Sequence, residues 1–308
     1  MDRLKKAIKR DYLPRWQLYM FLALPLAYIV IFAYIPMGGI QIAFREYNLL
    51  GGISGSPWVG LSNFQKFFSA HNFWSILYNT LYLAVYGMVA AFPLPIILAL
   101  LINAFPGRRY KKVVQTVTYM PHFISVVVIA GMIIQLLNPR TGAAGAIYMA
   151  FTGTLMPDIL GRPNAFPHLY VWSGIWQSLG WSSIVYLAAL SAVDSGLHEA
   201  AEIDGASRLK RIWHIDLPCI KPTIIILMIL GAGSIMNVGF EKVYLMQNRL
   251  NLSTSEVIST YVYKVAMTTG IGDFSLATAV GFFNAVINFI VLLSVNLIAG
   301  KVGGVKLW

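Results

Sequence analysis

Long apolar stretches alternate with short polar connections along the chain. Each stretch lacks Asp, Glu, Lys and Arg and holds the roughly 20 residues that an α-helix needs to cross about 30 Å of hydrocarbon. Six stretches fit this description: residues 16–44, 72–107, 113–139, 163–193, 222–240 and 274–300. The pattern therefore predicts an all-α integral membrane protein with six transmembrane helices.

Basic residues are distributed unevenly around these stretches. Sixteen lie before the first stretch, after the second and fourth stretches, and in the tail, whereas seven lie in the remaining connections. Because Lys and Arg near span ends stay cytoplasmic when loops are short, we expect both termini in the cytoplasm. The predicted organisation is a basic N-terminal arm (1–15), a six-span domain (16–300) with a cytoplasmic loop at 194–218, and a cytoplasmic tail (301–308).

Composition agrees with a membrane protein and narrows its partners. Hydrophobic residues make up 57% of the chain and charged residues 11%, about half the share usual in soluble domains. The net charge of +11 reflects the inside-positive topology and attraction to anionic membrane lipid. No nucleic-acid-binding motif accompanies it, so nucleic acid is not an expected partner. The single cysteine, Cys219, provides neither an internal disulfide nor a cysteine metal cluster.

Motifs that would make the chain an enzyme do not occur in the sequence. It has no Gly-x4-Gly-Lys-Ser/Thr loop for nucleotide phosphates, and it contains neither HExxH nor GxSxG. His122 and His168 are isolated near span ends, where we expect packing or interfacial hydrogen bonds. No catalytic residue, metal site or cofactor is therefore predicted for this chain.

If the chain moves a solute, the spans bear on how that transport is driven. None of the six has a charge at its centre, whereas ion-coupled carriers often place costly charged residues at the membrane midplane. A secondary carrier that binds sodium through backbone carbonyls and hydroxyls stays open as an alternative. A membrane structural or receptor subunit is a further alternative.

The polar segment EAAEIDGASRLKRIWHIDLP, residues 199–218, lies between the fourth and fifth stretches. Asp194 or Ser195 is expected to cap a short helix that begins near Leu197, because a side-chain oxygen there satisfies free backbone N–H groups. Gly205 then permits a sharp turn. The segment is thus predicted to be folded.

Beyond the turn, Ser207 is expected to start a second helix through Ile212, and Pro218 marks the start of the fifth span. Ala200 and Ala201 keep one surface shallow, so that the first helix can enter a protein groove closely. Its acidic residues would orient a partner by meeting basic or backbone donors. They are Glu199, Glu202 and Asp204.

An alternative is an amphipathic connection that lies on lipid headgroups. It would use Leu209, Arg211 and Trp213.

The spacing Glu-Ala-Ala, three residues, Gly, nine residues, Ile-x-Leu-Pro is filled at every position of residues 199–218. It resembles the cytoplasmic coupling loop of permease subunits in bacterial ATP-binding-cassette importers, which docks into a groove on a separate ATPase. The resemblance implies a type I importer permease fold in a chain that hydrolyses nothing itself. The coupling residues it implies are Glu199, Ala200, Ala201, Glu202, Asp204, Gly205, Ile215, Leu217 and Pro218.

Three further segments are similar to the branch of these importers that carries oligosaccharides and polysaccharides. They are SPWVGLSNF (56–64), NVGFEKVYLMQN (237–248) and EVISTYVYKVAMTTGIGDFSLATAVGFFNAVIN (256–288). An importer of alginate, an acidic polysaccharide, is one member that the chain resembles. The resemblance implies half of a pathway in the bacterial inner membrane, completed by a second permease, two ATPase subunits that bind ATP and Mg, and an external solute-binding protein.

Carbohydrate recognition needs flat apolar faces for sugar rings and polar side chains for hydroxyls in a concave site. Aromatic residues near span ends also form interfacial belts, and Asn or Gln often bridges helices, so each residue has a structural alternative. The predicted substrate-path residues are Trp172, Trp176, Gln177, Trp181 and Tyr186 in the fourth span, Asn237 and Phe240 in the fifth, and Asn284 and Asn288 in the last.

Asn237 is the preferred member of this set. Gly231, Gly233 and Gly239 surround it and allow a backbone or ligand to approach closely. Next to it, Glu241 is expected to receive solute or to pair with Lys242.

Prolines are expected to kink the spans, because each removes a backbone donor. They are Pro25 and Pro36 in the first span, Pro93 and Pro95 in the second, and Pro121 at the start of the third. The connections 45–71, 140–162 and 247–273 are predicted to face outside and contact the binding protein. The middle one is either a short helix folded back on the membrane or an interfacial loop.

Overall fold

The computed structural model describes residues 16–267, 272–304 and 307. Within these residues every named element is helical, and two isolated β-bridges join Arg45 to Trp58 and Asn48 to Gly52. The basic arm, residues 1–15, and residues 305, 306 and 308 of the tail lie outside the described residues.

Helices of seven residues or more are labelled here in chain order. They are α1 (Trp16–Phe44), α2 (Ser62–Phe68), α3 (Phe73–Ala104), α4 (Arg108–Phe123), α5 (Val126–Leu136), α6 (Ala143–Thr152), α7 (Phe166–Ser191), α8 (Ser195–Ile203), α9 (Arg208–Ala232), α10 (Phe240–Met246), α11 (Ile258–Met267) and α12 (Phe274–Gly303). Shorter helical turns are Gly52–Gly55, Pro163–Ala165 and Leu252–Ser255.

Among the described helices, α1, α3, α9 and α12 are each long and apolar enough to cross a membrane. The bent pair of α4 and α5 makes a fifth span if it is counted as one. At 26 residues α7 is about 39 Å long, which is enough to cross, but Ser, Gln and His make it less apolar than the others. Each of the six predicted stretches therefore contains helix, although two of them differ in shape from the prediction.

The prediction of one continuous third span over residues 113–139 is wrong. Helices α4 and α5 meet there at an angle of 94°, with residues 124 and 125 between them. Pro121 lacks a backbone N–H, and Ser125 starts the new helix by accepting a hydrogen bond from Val128 N at 3.3 Å. The predicted proline effect is present, and it produces a break rather than a kink.

The predicted bounds of the fifth span, residues 222–240, are also wrong. Helix α9 begins at Arg208 and ends at Ala232, and residues 233–239 are not helical. The second loop helix therefore continues into the span instead of ending at Ile212. A π-helical turn, Ile212–Asp216, carries the helix up to Pro218, which has no N–H to donate to a regular turn.

The remaining predicted kinks are mild. Pro25 lies within a regular part of α1, and Pro36 follows a π-helical turn, Val30–Tyr34. Pro93 begins the second half of α3, directly after Phe92. Helices α1 and α3 thus remain continuous.

Helix α7 is the central packing element. It contacts α3, α4 and α9, and α12 packs against α9, α11 and the end of α1. The crossing of α7 and α4 depends on Gly180, because a Cβ there would lie 2.2 Å from the carbonyl oxygen of Thr118. In contrast, every residue from 16 to 37 in the apolar helix α1 is exposed.

The connections predicted to face outside are ordered by hydrogen bonds. Helix α6 settles the middle one as helical, and Gly153 ends it with a φ of +70°. In the last one, Asn251 Nδ2 donates to Leu160 O at 2.9 Å, and Asn79 Nδ2 of α3 donates to Ser253 O at 2.9 Å. These bonds fix the last connection against the middle connection and against α3.

Candidate functional site

The predicted coupling loop, residues 194–218, is folded as a helix, a turn and the start of α9. Asp194 Oδ1 accepts a hydrogen bond from Gly196 N at 2.9 Å, so the predicted cap is confirmed, although the helix begins at Ser195. Gly205 has a φ of +74°, which confirms the predicted sharp turn. Ser207 Oγ then accepts from Lys210 N at 3.4 Å and caps α9.

An exposed apolar stripe runs along α8. Leu197, Ala200 and Ile203 are spaced three residues apart and therefore lie on one face of the helix. Leu197 is 48% exposed and Ile203 is 88% exposed. Ile203 was not among the predicted coupling residues, and its signal in the sequence is this spacing.

Two contacts within the chain fasten α8 to the base of α9. Glu202 Oε1 accepts from the guanidinium of Arg211, so this carboxylate folds the loop rather than only facing a partner. His198 Nε2 lies 3.2 Å from Oδ1 of the buried Asp216. The loop and the fifth span are therefore joined by side chains as well as by backbone.

The other predicted coupling residues fall into two groups. Ala201, Ile215 and Leu217 are half-buried, and the exposed ones are Glu199, Ala200, Asp204, Gly205 and Pro218.

A second group of polar side chains lies at the break in the fifth span, residues 233–239. Asn237 Oδ1 accepts from Asn284 Nδ2 and from Asn288 Nδ2, each at 3.0 Å. Asn288 Oδ1 also accepts from the backbone N of Met236 at 2.9 Å. The structure thus brings three predicted substrate-path residues into one asparagine cluster, which ties α12 to the broken backbone.

This cluster orients the amide of Asn237. Because its oxygen accepts two hydrogen bonds from α12, its NH2 group remains a donor that bonds to no other described residue. Asn237 is exposed, so that donor is accessible.

Two neighbouring cavities border the central helix, and both are lined by Ala91. The larger, of about 560 Å³, lies between α3, α5, α7 and α10 and is lined by Gln177 and Phe240. The smaller, of about 470 Å³, lies between α3, α7 and α9 and is lined by Trp181 and Tyr186. Four more predicted substrate-path residues therefore border cavities.

The remaining two, Trp172 and Trp176, lie on the exposed surface of α7. Trp172 Nε1 donates to Tyr86 OH at 2.9 Å, and that hydroxyl lies 2.8 Å from His168 Nδ1. His122 stacks on Trp181 with ring centroids 4.5 Å apart. The packing and hydrogen-bonding roles predicted for the two histidines are confirmed.

Lys242 is a buried cation in the wall of the larger cavity. Lys242 is only 7% exposed, and its Nζ donates to Tyr170 O at 3.0 Å and lies 5.3 Å from the centre of the Tyr170 ring. The predicted pairing with Glu241 is not found among the described residues, where Glu241 is exposed. Sequence reasoning missed the Tyr170 contact because 72 residues separate the two side chains.

Comparison with known proteins places the whole chain in one group. The family described as "Binding-protein-dependent transport system inner membrane component" matches residues 91–304. Protein LplB of Bacillus subtilis (strain 168) is 42% identical over 96% of this chain and 91% of its own length. The polygalacturonan/rhamnogalacturonan transport system permease protein YteP of the same organism is 41% identical over 97% of this chain and 90% of its own length.

A solved structure is similar over nearly its full length. The crystal structure of a bacterial ABC transporter involved in the import of the acidic polysaccharide alginate contains a chain that superposes with a TM-score of 0.87. That chain is 38% identical, and the match covers 97% of this chain and 99% of that one. A second structure of an alginate transporter, in complex with an alginate pentasaccharide-bound periplasmic protein, matches with the same TM-score at 37% identity, covering 99% of this chain and 100% of that one.

Proposed function

Because this chain belongs to the family of binding-protein-dependent transport system inner membrane components, we propose that it forms one half of a translocation pathway for oligosaccharides or polysaccharides. The chain is a permease component of an ATP-driven importer and a multi-pass protein of the inner membrane, with the type I importer permease fold. This membership decides against the ion-coupled carrier that the sequence left open.

The proposal includes the partners that such a permease needs. They are a second homologous permease, two ATPase subunits that bind ATP and Mg, and an external solute-binding protein. The exposed apolar surface of residues 16–37 in α1 supports the presence of lipid or a second permease beside it. The chain itself is proposed to be non-catalytic, with both termini in the cytoplasm.

The coupling loop is proposed to dock on the ATPase through the apolar stripe of α8. The observation that carries this proposal is the exposure of Ile203 at the tip of a polar, capped loop. Burial of this side chain in a groove of the partner would contribute about 1.5 to 3 kcal/mol to binding. Because Asp194 and Ser207 cap the two helices of the loop, the loop is already ordered and docking costs little conformational entropy.

A pair of matched substitutions separates ATPase docking from lipid contact. Ile203→Asp places a carboxylate in the middle of the proposed contact, whereas Leu209→Asp makes the same change on the part of the loop that the lipid alternative uses. We expect Ile203→Asp to weaken binding of the ATPase to the purified permease pair at least roughly tenfold, because a buried unpaired charge is costly. Leu209→Asp is expected to change it little.

The measurement is co-purification and titration of the ATPase against the permease pair, followed by ATPase stimulation in liposomes. Normal ATPase binding by Ile203→Asp, or loss of binding by Leu209→Asp alone, would contradict docking through α8.

A further inference from the structure

Lys242 is charged, buried and without a counter-ion among the described residues. One of its three N–H donors is used by the carbonyl of Tyr170, and the ring of the same residue lies beneath the ammonium. A buried ammonium that lacks an opposite charge costs several kcal/mol of desolvation. The fold therefore maintains a cation here at the expense of stability.

The space around the ammonium is open on the side of the larger cavity. Gly174 of the cavity wall lies beside the ammonium: a Cβ at this position would be 3.4 Å from Lys242 Nζ. Gln177 and Phe240 border the same cavity and provide a polar side chain and a flat apolar ring. A volume of about 560 Å³ is within the range of roughly 300 to 1,000 Å³ found for small-molecule sites.

The neighbouring carboxylate does not compensate the charge. Glu241 also lines this cavity, but it is exposed, and it forms no ion pair with Lys242 among the described residues. Water solvates and screens the exposed carboxylate, whereas the buried ammonium is little screened. The ammonium therefore interacts more strongly with a ligand in the cavity than the carboxylate does.

We propose that the Lys242 ammonium binds the carboxylate groups of an acidic saccharide as it passes through this cavity. The proposal rests on the importer function proposed above and narrows its substrate to saccharides that carry carboxylates. A carboxylate supplies the charge and the hydrogen-bond acceptors that Lys242 lacks in the empty cavity. A neutral saccharide leaves the ammonium unpaired, so Lys242 discriminates between the two classes.

The test uses the full importer, with its second permease, ATPase and binding protein, in liposomes. The probes are an alginate pentasaccharide and the same oligosaccharide with its carboxyl groups reduced to alcohols. Lys242→Met keeps the length of the side chain and removes the charge, and Lys242→Arg keeps the charge. Lys221→Met, which removes an exposed cation from α9, is the matched control.

We expect Lys242→Met to lower import of the acidic pentasaccharide at least tenfold and to leave import of the reduced oligosaccharide unchanged. Lys242→Arg should retain most of the acidic import, and Lys221→Met all of it. The thermal midpoint of Lys242→Met should equal or exceed that of the natural chain, because a costly buried charge is gone.

Three results would overturn the proposal. Normal acidic import by Lys242→Met, or equal loss of both probes together with a lower thermal midpoint, would reduce Lys242 to a packing residue while the importer function stands. Import of the reduced probe but not of the acidic one by the natural importer would likewise contradict a role for Lys242 in binding carboxylates. If the natural chain neither assembles with an ATPase nor supports any import, the proposed function fails and the role of Lys242 fails with it.

Discussion

At the scale of single residues, the asparagine cluster separates two roles that one polar side chain could have. Asn288 bonds the broken backbone at Met236 and also bonds Asn237, and it is buried. Asn237 is exposed, and its NH2 group bonds to none of the residues that the structure describes. Asn288 therefore serves the fold of the break, and Asn237 is the member that can meet a solute.

Substituting the two asparagines should affect different properties, stability in one case and import in the other. Asn288→Ala leaves the N–H of Met236 buried and unpaired, which costs about 1 to 3 kcal/mol, so the thermal midpoint should fall by several degrees. Asn237→Ala should reduce saccharide import while the complex still assembles. Thermal unfolding in detergent and uptake into liposomes measure the two effects. Normal uptake kinetics for Asn237→Ala would remove it from the substrate path.

At the scale of helices, the crossing of α4 and α7 allows no side chain at Gly180. Its missing Cβ would overlap Thr118 O at 2.2 Å and Thr118 Cβ at 2.9 Å. The contact partner is backbone, which cannot move aside as a flexible side chain can. This crossing holds the amphipathic α4 against the central helix, although α4 itself buries no residue between Arg108 and Tyr119.

Gly180→Ala should therefore separate α4 from α7 and destabilise the fold by roughly 1 to 3 kcal/mol or more, as overpacking does. Gly281→Ala is the matched control, since a Cβ at Gly281 in α12 meets nothing within 4 Å. That change should be neutral or stabilise the helix by up to about 1 kcal/mol. Thermal unfolding of the two variants in the same detergent provides the comparison. Equal midpoints would show that the crossing relaxes without cost.

Local features of these helices were predictable from the sequence, and their long-range contacts were not. The caps at Asp194 and Ser207 and the turn at Gly205 depend on a few neighbouring residues, so their residue types predict them. Pro121 predicts a disturbance, but the angle of 94° depends on how α4 and α5 pack on other helices.

The polar groups of the site show the same limit. Asn237 was singled out by its glycine neighbours, yet its partners lie 47 and 51 residues away and no sequence pattern joins them. Glu241 is expected from the sequence to receive solute or to pair with Lys242, and the fold instead places Lys242 on Tyr170. Spacing along a chain predicts which face a residue occupies, but only packing determines what that face meets.

At the scale of the whole molecule, α9 connects the coupling loop to the asparagine cluster. It is 25 residues long, which corresponds to roughly 37 Å, and it runs from the turn at Gly205 to the break at residues 233–239. The contact of His198 with Asp216 fastens α8 to its base. A displacement of α8 by an ATPase would thus be carried along α9 to the break, where the helix ends and the asparagine cluster begins.

Asp216→Asn tests this connection without altering the apolar stripe of α8. It keeps the size of the side chain but removes the charge that faces His198, so α8 is held less firmly on α9. We expect the ATPase to bind the permease pair with unchanged affinity, while saccharide import falls by roughly tenfold, the equivalent of about 1.4 kcal/mol of lost coupling. Binding titration and uptake by the same purified complex measure the two quantities separately.

The control makes the same chemical change where it should have no effect. In Asp194→Asn the amide oxygen caps α8 as well as the carboxylate does, so both ATPase binding and import should match the natural chain. If Asp216→Asn lowers ATPase binding and import in parallel, the buried carboxylate shapes the docking surface and does not transmit its movement. If it lowers neither, the backbone of α9 alone carries the displacement from the loop to the break.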